Sequence, residues 1–131
     1  MIFSRRCLPL LAALLLTACD NPRTDAIARL RKTNLTTLRT DVARFHTQLL
    51  QAPDQDYMPL KSNWWSESVR KLKPLRVGIY RDGLAIALRD EPGIEFGLHI
   101  VPQGVARPPN PSPFVEYERI EDGVYWYTLK K

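Results

Sequence analysis

Leu75-Arg76-Val77-Gly78-Ile79-Tyr80-Arg81-Asp82-Gly83-Leu84-Ala85-Ile86-Ala87-Leu88-Arg89 is the stretch where the chain changes character. Two strand-like runs, Leu75–Arg81 and Leu84–Arg89, flank Asp82-Gly83, a dipeptide that strongly signals a tight hairpin. Turn signals recur from there onward. Glu91-Pro92-Gly93 leads into Ile94–Val101, and Glu121-Asp122-Gly123 separates Phe114–Ile120 from Val124–Leu129. The pattern predicts a meander of roughly five antiparallel strands. Its one long connection, Pro102–Pro113, holds Pro102, Pro108, Pro109, Pro111 and Pro113, a composition that stiffens and extends the backbone.

Upstream the composition differs. No glycine precedes Gly78, and all 6 glycines fall between Gly78 and Gly123, which predicts a helical first part and a turn-rich second part. Asn21-Pro22 pairs an N-cap residue with a proline suited to the first helical position. Pro53 closes the run, so one long helix is expected over Pro22–Gln51, about 45 Å at 1.5 Å per residue. Leu35, Leu38, Val42, Phe45 and Leu49 fall on one face of it, with Arg39, Asp41, Arg44 and Gln48 around the rest. That stripe suits either the helix's own sheet or a second helix. The first turns carry Arg23, Arg29, Arg31 and Lys32 against Ile27 and Leu30, and read as a stalk beside anionic headgroups or as a solvated helix end.

Asp54–Asn63, with Tyr57, Met58 and Pro59, reads as a connector. Ser62 is placed to cap a short helix, Asn63–Leu72, whose first turns hold Trp64, Trp65 and Val69, with one of the two tryptophans expected in the core. The expected fold is therefore α+β: one long N-terminal helix and a short helix packed on a roughly five-stranded antiparallel meander. A long helix followed by a meander is similar in outline to cystatin-like folds, although no motif of that family is present.

The N-terminus has a different logic. Arg5-Arg6 precede the apolar run Leu8–Leu16, about 9 residues long, too short to span a bilayer as a helix, which takes about 20. A charged region followed by a short apolar region is the order of a secretory signal. Leu16-Thr17-Ala18-Cys19 then resembles the lipobox of bacterial lipoproteins. The resemblance covers residues 1–19 only. It implies cleavage between Ala18 and Cys19, a diacylglycerol thioether on Cys19, and acylation, palmitate included, of the new amino group. It also implies a membrane-anchored protein of the cell envelope that faces the periplasm. An ordinary signal or short anchor with a chance cysteine is the alternative. Ser4-Arg5-Arg6-Cys7-Leu8 is only faintly similar to a twin-arginine signal, because Pro9 follows. Asp20 resembles the residue that retains enterobacterial lipoproteins in the inner membrane, and the choice between inner and outer membrane stays open. On this reading residues 1–18 are signal and 19–131 form one mature domain.

Loss of Arg5 and Arg6 with the signal lowers the formal net charge from +5 to +3. The remaining basic residues are scattered, which argues against nucleic-acid binding. Cys7 and Cys19 are the only cysteines, so a mature domain beginning at Cys19 has no disulfide.

Sites for chemistry are sparse. Nucleophile elbow, phosphate loop, paired zinc ligands and carboxylate signature are all missing, so no catalytic, cofactor-binding or metal residue is assigned and no cofactor is expected. His46 beside Phe45 suits a core-edge position. Glu95, Gly97 and His99 share one strand face; an acid–base or metal pair is one reading of Glu95 and His99, but a surface hydrogen-bonded pair is the simpler one, since zinc takes three or four ligands. Glu116 and Glu118 alternate with Val115 and Tyr117 as on a solvated strand face, and nothing implies the ring-sized cleft of a glycosidase. The aromatics Tyr117, Tyr125, Trp126 and Tyr127 stand out: if Trp126 faces the helix, Tyr125 and Tyr127 face outward, or the reverse. Together with Arg107 in the proline loop they form the candidate partner-binding set, with ordinary cross-strand packing as the alternative. The expectation is a non-enzymatic domain that binds a macromolecule, of inhibitor or immunity type. The alternative is a pilotin-like structural or assembly accessory that uses its long helix.

Overall fold

The hairpin that announces the sheet is present. In a computed structural model that describes residues 21–52 and 54–131, β2 (Arg76–Tyr80) and β3 (Gly83–Glu91) pair antiparallel with Tyr80 opposite Gly83. The two-residue loop is thus Arg81-Asp82, one position earlier than the dipeptide suggested. Gly83 is needed as the first strand residue for two reasons. Its φ is +145°, and a Cβ there would lie 2.5 Å from the Ile100 carbonyl oxygen and 2.6 Å from His99 Nε2.

The sheet has six strands in the order β1-β2-β3-β4-β6-β5, all antiparallel, with β1 at Tyr57–Leu60, β4 at Ile94–Ile100, β5 at Val115–Glu121 and β6 at Val124–Lys130. Two expectations are corrected here. The supposed connector Asp54–Asn63 contains β1, whose Pro59 sits opposite Gly78 on the edge of the sheet, the place where a strand tolerates a proline. The strands also do not form a simple meander. β6 pairs with β4, and the loop after β4 carries the chain past that position so that β5 takes the outer edge.

The long helix expected over Pro22–Gln51 is also corrected. Two helices occupy that span, α1 (Pro22–Arg31) and α2 (Leu35–Leu50). α1 starts on Asn21, whose side chain accepts from the Arg23 and Thr24 amides. The break falls where Asn34 starts a second helix, its side chain accepting from the Thr37 amide at 3.0 Å. A short polar side chain that caps a new helix competes with continuation of the old one. α1 is no free stalk: Ala26 and Leu30 are buried in the core, and Arg23 pairs with Glu118 of β5 at 2.6 Å. α2 carries the expected stripe. Leu38, Val42 and Leu49 are fully enclosed, Phe45 is nearly so, and Leu35 packs at the margin. Pro53 lies outside the described residues.

The second helix expectation shrinks too. A 3-10 turn at Ser62–Trp64 precedes α3, a single turn at Glu67–Arg70 capped by Ser66 rather than Ser62. Trp65 lies against the core and donates from Nε1 to the Leu60 carbonyl at 3.0 Å, while Trp64 is exposed.

Helices cover one face of the sheet. Val77, Ile79, Leu84, Ile86, Leu98, Ile100, Val124 and Trp126 point into them and form one apolar core with α2, Val69 and Leu72. Arg39, read from the sequence as part of α2's solvated side, is buried instead. Its Nε donates to the Val101 carbonyl at 2.9 Å, and Nη2 donates to the carbonyls of Pro102 and Val105, both at 3.0 Å. The Gln103 amide donates back to the Arg39 carbonyl. One guanidinium thereby fastens the start of the crossing loop to α2. No described helix is long and apolar enough to cross a membrane.

Candidate functional site

Side chains alternate along a strand, so every residue between two core positions faces the other way. No described helix covers that second face. Its middle is paved with small residues, Gly78, Ala85, Ala87 and Gly97, which sit opposite one another in register. The smallness makes room for rings. A Cβ on Gly97 would lie 2.6 Å from Cε2 of Tyr127, and one on Gly78 would run into the Tyr57 ring. Tyrosines from four strands surround this floor: Tyr57, Tyr80, Tyr117, Tyr125 and Tyr127. Tyr57 and Tyr80 lie 4.7 Å apart between ring centres and remain more than two-fifths exposed. Tyr117 meets Tyr125 edge-on at 6.4 Å and His99 edge-on at 5.2 Å.

Between these rings is a cavity of about 210 Å³, walled by Tyr80, Tyr117 and Tyr127 and by Asp82, Glu95 and His99. A smaller hollow of about 90 Å³ adjoins it on the side of Tyr57 and Arg76. On the other side of Tyr80 and Asp82 is a shallow hollow of about 270 Å³ bounded by Arg81, Arg107 and Asn110. The Asn110 amide donates to Asp82 Oδ2 at 3.2 Å, which ties the proline loop to the hairpin at the rim.

The polar groups are held by specific partners. Glu95 is buried, with Oε1 in an ion pair with Arg76 and Oε2 accepting from the Tyr127 hydroxyl at 2.5 Å. Arg76 also reaches Asp90 at 3.2 Å, and Asp90 pairs with Lys131. Burial, the hydrogen bond to Glu95 and that carboxylate's negative charge push the Tyr127 phenol far above the ordinary value, so it stays a donor. His99 Nε2 donates to the Asp82 carbonyl at 3.0 Å. Burial holds the imidazole below its usual pKa, against the smaller opposing effects of that hydrogen bond and of the Asp82 carboxylate, so the neutral ring predominates at pH 7. Burial, with the negative charge of Asp82 adding to it, pushes the Tyr117 phenol up to about 12. The hydroxyls of Tyr80 and Tyr117 make no hydrogen bond to the protein among the described residues.

The structure sorts the residues that the sequence singled out. Tyr117, Tyr125 and Tyr127 lie on the open face, and Arg107 is exposed at its rim. Trp126 does not join them. It is buried under the helices and stacks on Phe96 at 6.1 Å. Glu95 and His99 share the face as expected, but they are buried rather than at the surface and take separate partners instead of each other, and no group of three or more potential metal-ligating side chains occurs among the described residues. His46 stands at the core edge, its Nε2 donating to the Arg81 carbonyl at 2.6 Å. Glu116 and Glu118 are exposed at the sheet edge, Glu118 paired with Arg23. Cys19 lies outside the described residues. Missed from the sequence were Tyr57, Arg76, Tyr80 and Asp82. Alternation from Gly78 would have put Arg76 and Tyr80 on one face, but only the sheet order shows that this is the face bearing Glu95 and Tyr127. No family model, no curated protein and no solved structure matches this chain.

Proposed function

We propose that this chain is a lipid-anchored binding domain of the bacterial envelope, of inhibitor or immunity type, which holds a macromolecular partner on the uncovered face of its sheet. One observation carries the reading: among the described residues, helices pack on one side of the sheet only. The other side carries a tyrosine-walled cavity whose rim is extended by the proline loop. Tyrosine is enriched where proteins bind one another, because its ring gives contact area at low entropic cost and its hydroxyl adds a hydrogen bond. The acid–base groups there favour binding over turnover, since both oxygens of Glu95 are engaged and neutral His99 is tied to a main-chain carbonyl. The anchor rests on Leu16–Cys19, and it would present the domain to the periplasm. The assembly-accessory reading needs an unoccupied apolar helix face, and the α2 stripe is spent on the domain's own core.

The test has two arms. Cys19→Ala should abolish incorporation of labelled fatty acid, and unchanged labelling and mobility would refute the anchor. Tagged wild-type protein should capture a partner from membranes. Capture should fall with Tyr57→Ala combined with Tyr80→Ala, and on replacement of Arg107–Pro111 by Gly and Ser. Equal capture by all three would move the binding surface off this face.

A further inference from the structure

The cavity between Tyr80, Tyr117 and Tyr127 has a definite electrostatic character. No Lys or Arg among the described residues lines it. Its two carboxylates are not equivalent. Glu95 is neutralised from behind by Arg76, which opens on the adjoining hollow instead. Asp82 has no cationic partner among the described residues: Oδ2 accepts from the Asn110 amide, and the group 3.6 Å from Oδ1 is the neutral imidazole of His99. Arg81 and Arg107 border the shallow hollow beyond Asp82, where Arg81 pairs with Asp56 at 3.1 Å, and no ion pair joins Arg107 to Asp82. An unbalanced carboxylate therefore faces a cavity walled by three phenol rings.

Ring faces carry partial negative charge, so they attract cations where water is scarce. The remaining walls, Val115, Leu129 and Ala85, are aliphatic and offer nothing to a polar head. We propose that this cavity binds an organic cation: an ammonium or guanidinium on a short aliphatic stem, the head set between Asp82 and the tyrosine rings and the stem against Val115 and Leu129. A hard metal ion is a poor fit, because it asks for several oxygens at close range and gains little from ring faces. An anion would meet two carboxylates. The tyrosines themselves register a negative field: burial raises both phenols first, after which Tyr57, Glu95 and Asp82 add to the rise at Tyr80, and Asp82 to that at Tyr117.

This inference rests on the sheet face being the docking surface, and it names the chemistry that the partner presents there. A lysine or arginine side chain of a protein partner and a free small amine share that chemistry. The experiment separates them. Three probes are titrated into the full-length protein while the ring signals of Tyr80 and Tyr117 are followed by NMR. The probes are acetyl-Gly-Lys-Gly-amide, its uncharged norleucine counterpart, and n-butylammonium. The lysine peptide or the amine should shift both rings saturably, with the norleucine peptide weaker by about tenfold. Tighter binding of the peptide assigns the site to a partner's side chain, and equal or tighter binding of butylammonium to a free amine. Asp82→Asn, which keeps an acceptor for the Asn110 amide, and Tyr117→Leu should each weaken the cation by about fivefold or more. Equal binding of the norleucine peptide, no saturable shift from either cation, or an unaltered affinity in Asp82→Asn would overturn the proposal. If partner capture still depends on Tyr57 and Tyr80 while no cation binds, the docking face stands and the cation assignment falls.

Discussion

Replacing Arg39 by methionine keeps much of the side chain's length and apolar stem while removing every hydrogen bond the guanidinium makes. Three main-chain carbonyls lose their donor. Val105 is more than a third exposed, so water can replace the donor at its carbonyl. Val101 is buried and its oxygen has no other donor among the described residues, while the buried Pro102 oxygen keeps only the Val105 amide at 3.1 Å. Hydrogen bonds from a charged donor contribute about 1.5–3 kcal/mol each, which makes the expected loss about 3–5 kcal/mol once partial hydration is allowed for. A domain of this size has only about 5–15 kcal/mol in total. With a urea m-value near 1.5 kcal/mol/M, the unfolding midpoint should fall by about 2–3 M. Arg39→Lys should recover little, since one ammonium on a flexible stem cannot span three carbonyls. The nearby carboxylate of Asp122 is 3.7 Å away but 88% exposed, so Asp122→Asn should cost less than about 1 kcal/mol. The loss in Arg39→Met should also be insensitive to salt. A deficit below about 1 kcal/mol, or one that vanishes at 1 M salt, would show that an ion pair rather than the carbonyl clamp was at work.

Other consequences are simpler to state. Leu38→Ala empties a fully enclosed site on α2 and should cost about 2–5 kcal/mol by urea unfolding; an unchanged midpoint would mean the stripe is not enclosed. His99 has its pKa lowered by burial, so its contribution to stability is full above the ordinary histidine value of about 6.5 and is lost as pH falls below it. The urea midpoint of wild type should therefore drop relative to His99→Gln between pH 7 and pH 5, and parallel curves would contradict that. The difference in ultraviolet absorbance at about 295 nm between wild type and Tyr117→Phe should appear with a midpoint near 12, not near the ordinary 10.

What the sequence reveals and conceals follows from how local each signal is. The α2 stripe repeats by threes and fours within one element, so Leu38, Val42 and Leu49 could be assigned to the core directly. Strand alternation did the same for the pairing of faces around Trp126, leaving two mirror options that only the helices' position resolves. The break between α1 and α2 turns on one side chain, Asn34, competing for a backbone amide inside an otherwise continuous apolar pattern. β1 was hidden because Pro59 is a breaker everywhere except on an edge, and edge position is a property of the finished sheet. Arg39 looked like any charged residue on the outer side of a helix; its burial depends on carbonyls more than sixty residues away. The cavity is non-local in the same sense, since Tyr80, Glu95, Tyr117 and Tyr127 come from four strands and meet only through the strand order.

That strand order also governs when the molecule can be finished. β6 comes after β5 in the chain yet lies inside the sheet, with β4 on one side and β5 on the other. Until residues 124–130 are available, β4 presents a bare edge of amides and carbonyls, and β5 has no neighbour to pair with. The two-layer core is likewise open until Val124 and Trp126 close it. A chain emerging amino end first, from a ribosome or through a translocation pore, must therefore remain unfinished until its final strand is free. The tyrosine-walled cavity, which needs Tyr117 and Tyr127, forms in that same last step. Loss of β6, by a stop placed before Val124, would erase the tyrosine-walled face together with the fold.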